Sequence, residues 1–416
     1  MTTPNPVFPT NSSDAIVIGG GPVGSYVAFH LAKAGVKTTV YEEHPQVGVP
    51  SHCAGHLSIR SLKNMGLYPL PEGIEENTFC SANFYSSYGT NFKLSLSCPV
   101  TVALNRACFD QYLAEQAKTA GASYVLNTRV QSLLVTNGFV RGVKIKQVNS
   151  GEENIFSKVV IDAEGISSRL LHQAGLRTKK PSRIVYTAEA EIANIFNCER
   201  NAVEVYFGKE YAPGFYGWLI PRRDGSAKLG LATNKGNPLE YLKRLIAKHP
   251  VASRQLAKAK IIRINYHAIS LGGPIPKSYT NGFLAVGDCA SQIKPTTGGG
   301  VIFGLSCAKI AAQVASSAIR NDDVSAESLK VYQQRCNELT NLDFGVMLRL
   351  RRFLDSLSDD KLDEMLRVCQ KLGVDKALRD VDEIDFQGKM LLAVLRKPAV
   401  AAAFLYFGLL YLSTNP

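Results

Sequence analysis

The chain has 416 residues, 45% of them apolar and 20% charged, with a mean hydropathy of −0.02. That is too apolar for an intrinsically disordered chain and too charged for a polytopic membrane protein, and the length allows two or three packed regions. Lys and Arg outnumber Asp and Glu by 47 to 35, a net charge of +12, which suits phosphate groups, nucleotides or an anionic membrane surface without choosing among them.

Residues 1–13 are polar and Pro-rich, with neither a basic n-region nor an apolar h-region, and read as a flexible lead-in rather than a signal peptide. Residues 14–18 form a short apolar run of the kind found in buried parallel strands. The turn Gly19-Gly-Gly-Pro-Val-Gly24 follows, then an apolar helical stretch over 25–34 that stops at Gly35, then a strand over 37–42. This is a βαβ unit that opens on a tight glycine turn. Next come a helix over 107–120 closed by Gly121, strands within 123–134, a hairpin arm over 140–148 and an apolar strand over 158–162. Residues 184–233 turn β-rich, with Tyr, Phe and Val around Gly and Pro turns, and predict a separate antiparallel sheet. A buried strand over 283–286 and an apolar helix over 301–319 follow, and from 326 onward the chain reads as helical with mixed charge. The uncharged run 399–412 has only 14 residues, too short to span about 30 Å of hydrocarbon as a helix. It reads either as a helix packed on the protein or as an interfacial helix or tunnel wall.

The nine cysteines stand singly, without a C-x-x-C pair, which indicates neither a zinc ribbon nor a disulfide framework and favours a reducing cytoplasm. His52, Cys53 and His56 lie close in sequence but lack a fourth ligand, so no metal is expected.

The glycine turn carries chemistry. Gly19 makes the turn, Gly21 lets backbone approach a pyrophosphate, and Gly24 lets the helix pack close to the sheet. Pro22 and Val23 begin that helix, whose N-terminus attracts phosphate charge. Glu42 stands 18 residues after Gly24 at the end of the next strand, where a carboxylate accepts hydrogen bonds from both ribose hydroxyls of an adenosine and repels a 2′-phosphate. Glu43 is the competing acid, and strand alternation does not separate the two. The turn and the acid leave FAD or NAD.

Further segments decide between them. Gly282-Phe-Leu-Ala-Val-Gly-Asp288-Cys-Ala-Ser is followed by Pro295-Thr-Thr-Gly-Gly-Gly300-Val-Ile; Asn105-Arg106-Ala-Cys-Phe-Asp110 opens a helix; and Asp162-Ala-Glu164-Gly165-Ile-Ser-Ser168 ends a strand. Together these resemble the FAD-dependent superfamily of p-hydroxybenzoate hydroxylase type. Within it, Pro50-Ser-His-Cys53-Ala-Gly55 and Tyr216-Gly-Trp218-Leu-Ile-Pro221 are similar to the geranylgeranyl reductase family. Glu164 stands where aromatic hydroxylases carry Asp, and Ile220 where the family carries Phe. The resemblance covers residues 14 to 320.

The resemblance implies an α/β (α+β) fold: a Rossmann-like FAD-binding domain from 14–79, 101–183 and 274–325, an antiparallel substrate-binding domain from 80–100 and 184–273, and a helical region from 326–416. It implies that Asp288 binds the ribityl chain, with the Gly299, Gly300 and Val301 amides near the flavin. It brings Arg106 toward the dinucleotide, the Val130 backbone to the adenine, and Cys53, Ala54 and Gly55 past the isoalloxazine. Tyr216 and Trp218 become substrate-pocket wall, since aromatic rings offer broad apolar area with a polar edge.

The expected function is an FAD-dependent reductase saturating isolated C=C bonds of geranylgeranyl chains on isoprenoid (archaeal-type) membrane lipids. An isolated alkene offers no carbonyl to polarise, so positioning and water exclusion carry the rate. Cys53 is the proton-donor candidate; its alternative is a buried, inert cysteine. No second glycine turn announces a built-in nicotinamide domain, so the electron donor is external: a nicotinamide, a deazaflavin, a ferredoxin or a quinone pool. A cytoplasmic protein peripheral at the membrane surface is expected, with no nucleic-acid partner. Rival readings are a flavin monooxygenase of an apolar or aromatic substrate and a non-catalytic lipid-binding flavoprotein.

Overall fold

The structure is a computed structural model that describes residues 13–147, 151–177 and 183–412; the flexible lead-in expected over 1–13 lies outside it except for Ser13. The first strand, Ser13–Ile18, is central because Ala15, Ile16 and Val17 are wholly buried on both faces. It pairs in parallel with Thr38–Tyr41 on one side and with Gly151–Asp162 on the other. The sheet continues to Phe283–Ala285 and Tyr279–Thr280 at one edge and to Ser123–Val125 at the other.

The crossover helix Pro22–Lys33 buries Tyr26, Val27, Ala28 and Leu31 in one core with helices Arg106–Thr119 and Val301–Arg320. It approaches Val301–Arg320 closely because Gly304 leaves room for Val23: a Cβ there would lie 2.5 Å from Val23 Cγ2. Val301–Arg320 is the one described helix long and apolar enough to cross a bilayer, and 72% of its apolar window is already buried in this core.

Sequence periodicity foresaw only the last five residues of Gly151–Asp162. Its first half is exposed and polar, and is held by an antiparallel ladder to Phe139–Gln147, which in turn pairs with Thr128–Thr136. Backbone pairing, not side-chain burial, makes that part a strand, so the hydrophobic pattern is silent there.

The second sheet has seven strands in the order Lys260–Ser270, Ile184–Ala193, Ala227–Thr233, Gly217–Pro221, Ala202–Tyr206, Ser81–Tyr85 and Asn91–Ser95. Alternation sets its faces. Ala188, Ala190 and Ile192 pack into a core with Leu229, Leu231, Leu242 and Leu245, while Thr187 and Glu189 face a cavity on the other side. Helix Pro238–Lys248, absent from the sequence reading, supplies Leu242 and Leu245 and is capped by Asn237, whose side chain accepts from Leu239 N at 2.9 Å.

A third, small sheet of His56–Ser58, Thr101–Leu104 and Glu75–Phe79 runs between these parts. The C-terminal region is helical, as its composition suggested. Its last helix, Pro398–Leu412, packs Val400, Ala403, Phe404 and Phe407 against Phe92, Leu366 and Val374, and leaves Leu405 73% exposed. The tunnel-wall reading of this helix does not hold for its described residues, none of which lines the cavity; that wall comes from residues 384–387 instead.

Candidate functional site

A cavity of about 670 Å³ runs from the Gly19 turn to the second sheet, and the residues expected to bind cofactor or substrate or to donate a proton all line it except Gly24. Gly24 is buried, and a Cβ there would lie 2.0 Å from Gly19 O, so its smallness serves the contact of helix and turn. Gly19 has φ +92°, and a Cβ on it would meet Ala163 O at 2.6 Å. Gly21 differs from both: a Cβ would find nothing within 4 Å, because this glycine opens onto the cavity. Pro22 and Val23 follow as the first helical residues, directing the helix N-terminus into the same space.

The structure separates the two acids that alternation could not. Glu42 is buried; its Oε2 accepts from Gly20 N at 2.7 Å, and its Oε1 contacts His44 Nδ1 at 2.6 Å. Glu43 is half-exposed and paired with Arg129 at 3.4 Å. Val130 is buried beside them in the cavity wall. Across the cleft, Arg106 is clamped by Asp110 at 3.0 Å. Burial opposes its charge, but Asp110, with the Cys53 sulfur next to it, outweighs burial and raises the guanidinium pKa.

At the other end, Gly300 precedes helix Val301–Arg320 with no side chain capping it, which leaves amides free for a ligand. Asp288 stands directly beside this turn: a Cβ on Gly300 would lie 2.5 Å from Asp288 Oδ1. Gly299 makes room for Lys294, whose Nζ pairs with the buried Asp385 at 2.5 Å. Asp385 also accepts from Ser61 Oγ at 2.6 Å, and Gln387 accepts from Thr296 Oγ1 at 2.6 Å. The stretch 384–387 thus closes this end of the cavity. No sequence motif marked it, because its partners lie far away in the chain.

The loop with Cys53 crosses between the two ends. Cys53 is exposed and its Sγ accepts from Gly55 N at 3.4 Å, so the buried-cysteine alternative is overturned. Ala54 and Gly55 also line the cavity, and Gly55 lies tight against Leu104 O. His52 stacks on His267 at 5.8 Å, and burial, then His267, push its pKa down. His56 is turned elsewhere, bonded to Thr101 Oγ1 at 2.7 Å and pushed down to about 4 by burial, then by Lys294. The described residues contain no grouping of His, Cys, Asp or Glu suited to a metal ion.

The far wall is aromatic. The rings of Tyr216 and Trp218 meet edge to face at 6.1 Å, and Tyr216 Oη donates to Thr297 O at 2.9 Å, tying the sheet to the glycine run. Trp218 lies over Gly230 and its Nε1 donates to Glu189 Oε2 at 3.2 Å. Phe79, Phe84, Phe215, Ile220 and Ile269 extend this surface. Behind it sits a charged cluster that the sequence reading missed. Buried Lys228 donates to Ala54 O at 2.9 Å and Leu104 O at 2.7 Å and pairs with Glu76 at 2.7 Å; Arg222 then joins Glu76 to Glu191. Only the alternation Thr187-Ala-Glu189-Ala-Glu191, which sets small apolar residues on one face and acids on the other, hinted at it.

Comparison with known proteins places this geometry. The sequence family described as the FAD binding domain matches residues 12–340. A digeranylgeranylglycerophospholipid reductase of Methanocaldococcus jannaschii is 34% identical over 94% of this chain and 97% of that protein. A second, from Methanopyrus kandleri, is 30% identical over 93% and 97%. Among solved structures, a geranylgeranyl bacteriochlorophyll reductase-like protein from Thermoplasma acidophilum superposes with a TM-score of 0.84 at 27% identity, covering 95% of this chain and 99% of that one. A flavin-dependent brominase, at 18% identity and a TM-score of 0.67 over 86% and 93%, shares the fold alone.

Proposed function

This chain belongs to the digeranylgeranylglycerophospholipid reductases, and from that premise we propose that it is an FAD-dependent oxidoreductase saturating isolated C=C bonds in the geranylgeranyl chains of isoprenoid lipids. The observation that carries this reading is the continuity of one cavity, which joins a dinucleotide cradle to an apolar aromatic wall. The cradle fits FAD: Gly21 opens onto the cavity, Glu42 is a buried acid at the strand end, and an uncapped helix start stands beside Asp288. Bound and reduced FAD supplies the hydride.

The chain's own residues do the rest. Gly19, Gly21, Pro22, Val23 and Glu42 hold the adenosine and pyrophosphate, with Arg106 and Val130 alongside. Asp288, Gly299, Gly300 and Val301 hold the ribityl and ring portion. Tyr216 and Trp218 press the alkene into place and keep water out, which matters because the alkene has no charge to grip. Cys53, on the open side of the loop, takes part in proton transfer. The surplus of positive charge and the exposed Leu405 support work at an anionic membrane surface from the cytoplasmic side, with electrons from an external carrier.

Anaerobic incubation of the dithionite-reduced holoprotein with a digeranylgeranylglycerophospholipid, followed by mass spectrometry, tests the proposal. The expected product gains two mass units per saturated bond. An unchanged lipid, or an oxygenated product formed only in air, would refute it.

A further inference from the structure

Saturating an alkene needs a proton as well as a hydride, and the cavity wall holds a second group able to carry one. Glu189 lies on strand Ile184–Ala193 with its carboxyl in the cavity and only 8% of the residue exposed. Trp218 Nε1 donates to its Oε2 at 3.2 Å, which fixes one oxygen under the aromatic wall and leaves the other without a bond that would hold it as carboxylate. We infer that Glu189 is the enclosed acid that stores and delivers the proton for alkene reduction, a role resting on the reductase reading above.

Of the other cavity acids, Glu43 pairs with Arg129, Asp110 with Arg106 and Glu164 with Arg169, while Asp288 stands at the Gly300 turn, at the cofactor end and away from the aromatic wall. Glu42 is held by Gly20 and His44, and Asp385 by Lys294 and Ser61. Glu204 is bonded to Tyr206 and Gln255. Cys53 stands on the exposed loop at the cavity rim, a place suited to relaying a proton between water and the wall and not to storing one. Glu189 combines enclosure with a place on the substrate wall.

Its surroundings move its titration up toward neutrality. Burial is the largest influence and raises its pKa to about 7; Lys228, the Trp218 hydrogen bond and Arg222 pull it down, while Glu191 pushes it up. The facing groups are Lys228 and Gly230 on the strand to one side and Arg263, Asn265 and His267 on the strand to the other. Thr187 and Glu191 flank it on its own strand, and His52 stacks on His267 from the loop. A carboxyl titrating there is an effective donor, because both of its protonation states are reachable in turnover.

The reaction balances. Hydride from the reduced cofactor and the Glu189 proton become the two new C–H bonds as the π bond breaks, with both electrons drawn from the external reductant. The Glu189 carboxylate then regains its proton from water.

Trp218 is the only tryptophan in the chain, so its fluorescence reports the carboxyl directly. In the oxidised holoprotein, emission is expected to titrate with a midpoint near 7, and Glu189→Gln, which still accepts from Trp218, is expected to abolish that titration while keeping its flavin. In dithionite single-turnover assays the wild-type rate is expected to fall about tenfold per pH unit above the midpoint. Glu189→Gln is expected to be slower by tenfold or more at pH 6 with that limb gone and with KM little changed, and Glu189→Asp to restore the limb. A wild type that saturates chains beside an unimpaired Glu189→Gln, or a limb lost in Cys53→Ser and kept in Glu189→Gln, would overturn the Glu189 role alone. A wild type that titrates but saturates nothing would overturn the reductase reading and the proton role with it.

Discussion

Replacing Lys228 by Met tests whether the charged cluster behind the aromatic wall holds the site together. The Lys228 side chain is only 5% exposed, and its ammonium pairs with Glu76 at 2.7 Å and donates to the carbonyls of Ala54 and Leu104. Methionine matches the stem in length and apolar volume, so the change removes mainly the charge. Breaking a buried pair from one side costs about 3–5 kcal/mol, because the remaining charge stays buried without its partner. The carbonyls of Ala54 and Leu104 lose charge-assisted hydrogen bonds as well, but water entering the space left by the ammonium can replace them, so no separate cost is added. Glu76 keeps Arg222 at 3.2 Å, which argues for the lower half, about 3 kcal/mol. Urea unfolding of the holoprotein, read by circular dichroism, measures it. Adding Glu76→Gln should recover at least about 1 kcal/mol relative to the sum of the single changes. A loss below about 1 kcal/mol for Lys228→Met, or strict additivity in the cycle, would refute the assignment of this lysine as the tether between sheet and loop.

Glu42→Ala is expected to purify with much less bound flavin, read from the 450 nm absorbance per chain; undiminished flavin would remove Glu42 from the cradle. Gly24→Ala forces a Cβ to within 2.0 Å of Gly19 O, so the helix must shift; loss of flavin together with stability is expected, and a fully loaded, equally stable variant would contradict the packing argument. Cys53→Ser is expected to slow single turnover without altering the tryptophan titration; full turnover would take the thiol out of proton transfer. His56 and His249 are both pushed down to about 4, chiefly by burial. The unfolded imidazoles protonate below about 6.5 while the folded ones resist, so stability should fall between pH 6.5 and 4 by about 3 kcal/mol for each. Urea midpoints across that window check it, and His249→Gln should flatten the slope.

The cofactor half of the site was legible in the sequence because its constraints are local. A glycine with φ +92°, a second facing the cavity and a third pressed on its neighbour fall within six consecutive residues; steric exclusion admits little else at Gly19 and Gly24, while Gly21 leaves the backbone open to a ligand. Asp288 and the run to Gly300 were marked by a family resemblance, and the fold sets the acid against the glycine twelve residues on. The choice between Glu42 and Glu43 was not, because it depends on which carboxyl meets Gly20 N across the turn. The polar half of Gly151–Asp162 was hidden because backbone pairing to the neighbouring hairpin arm, not side-chain burial, makes it a strand, and the closing stretch 384–387 because its partners are distant in sequence.

The substrate half is long-range in another sense. Its wall belongs to a sheet whose two faces do different work. Ala188 and Ala190 are small because Leu229 and Leu231 fill the core beside them, which leaves Thr187 and Glu189 to face the cavity. An acid on the open face of an ordinary sheet would meet water and stay ionised. Here the Trp218 ring and the loop at Cys53 cover that face, and the same covering that excludes water from an alkene raises the carboxyl's pKa toward neutrality. Gly230 lets the ring lie flat against the strand, since a Cβ there would meet it at 2.5 Å. Enclosing the substrate and keeping an acid protonated are therefore one structural act, which is why alternation alone, blind to what covers a face, did not reveal Glu189.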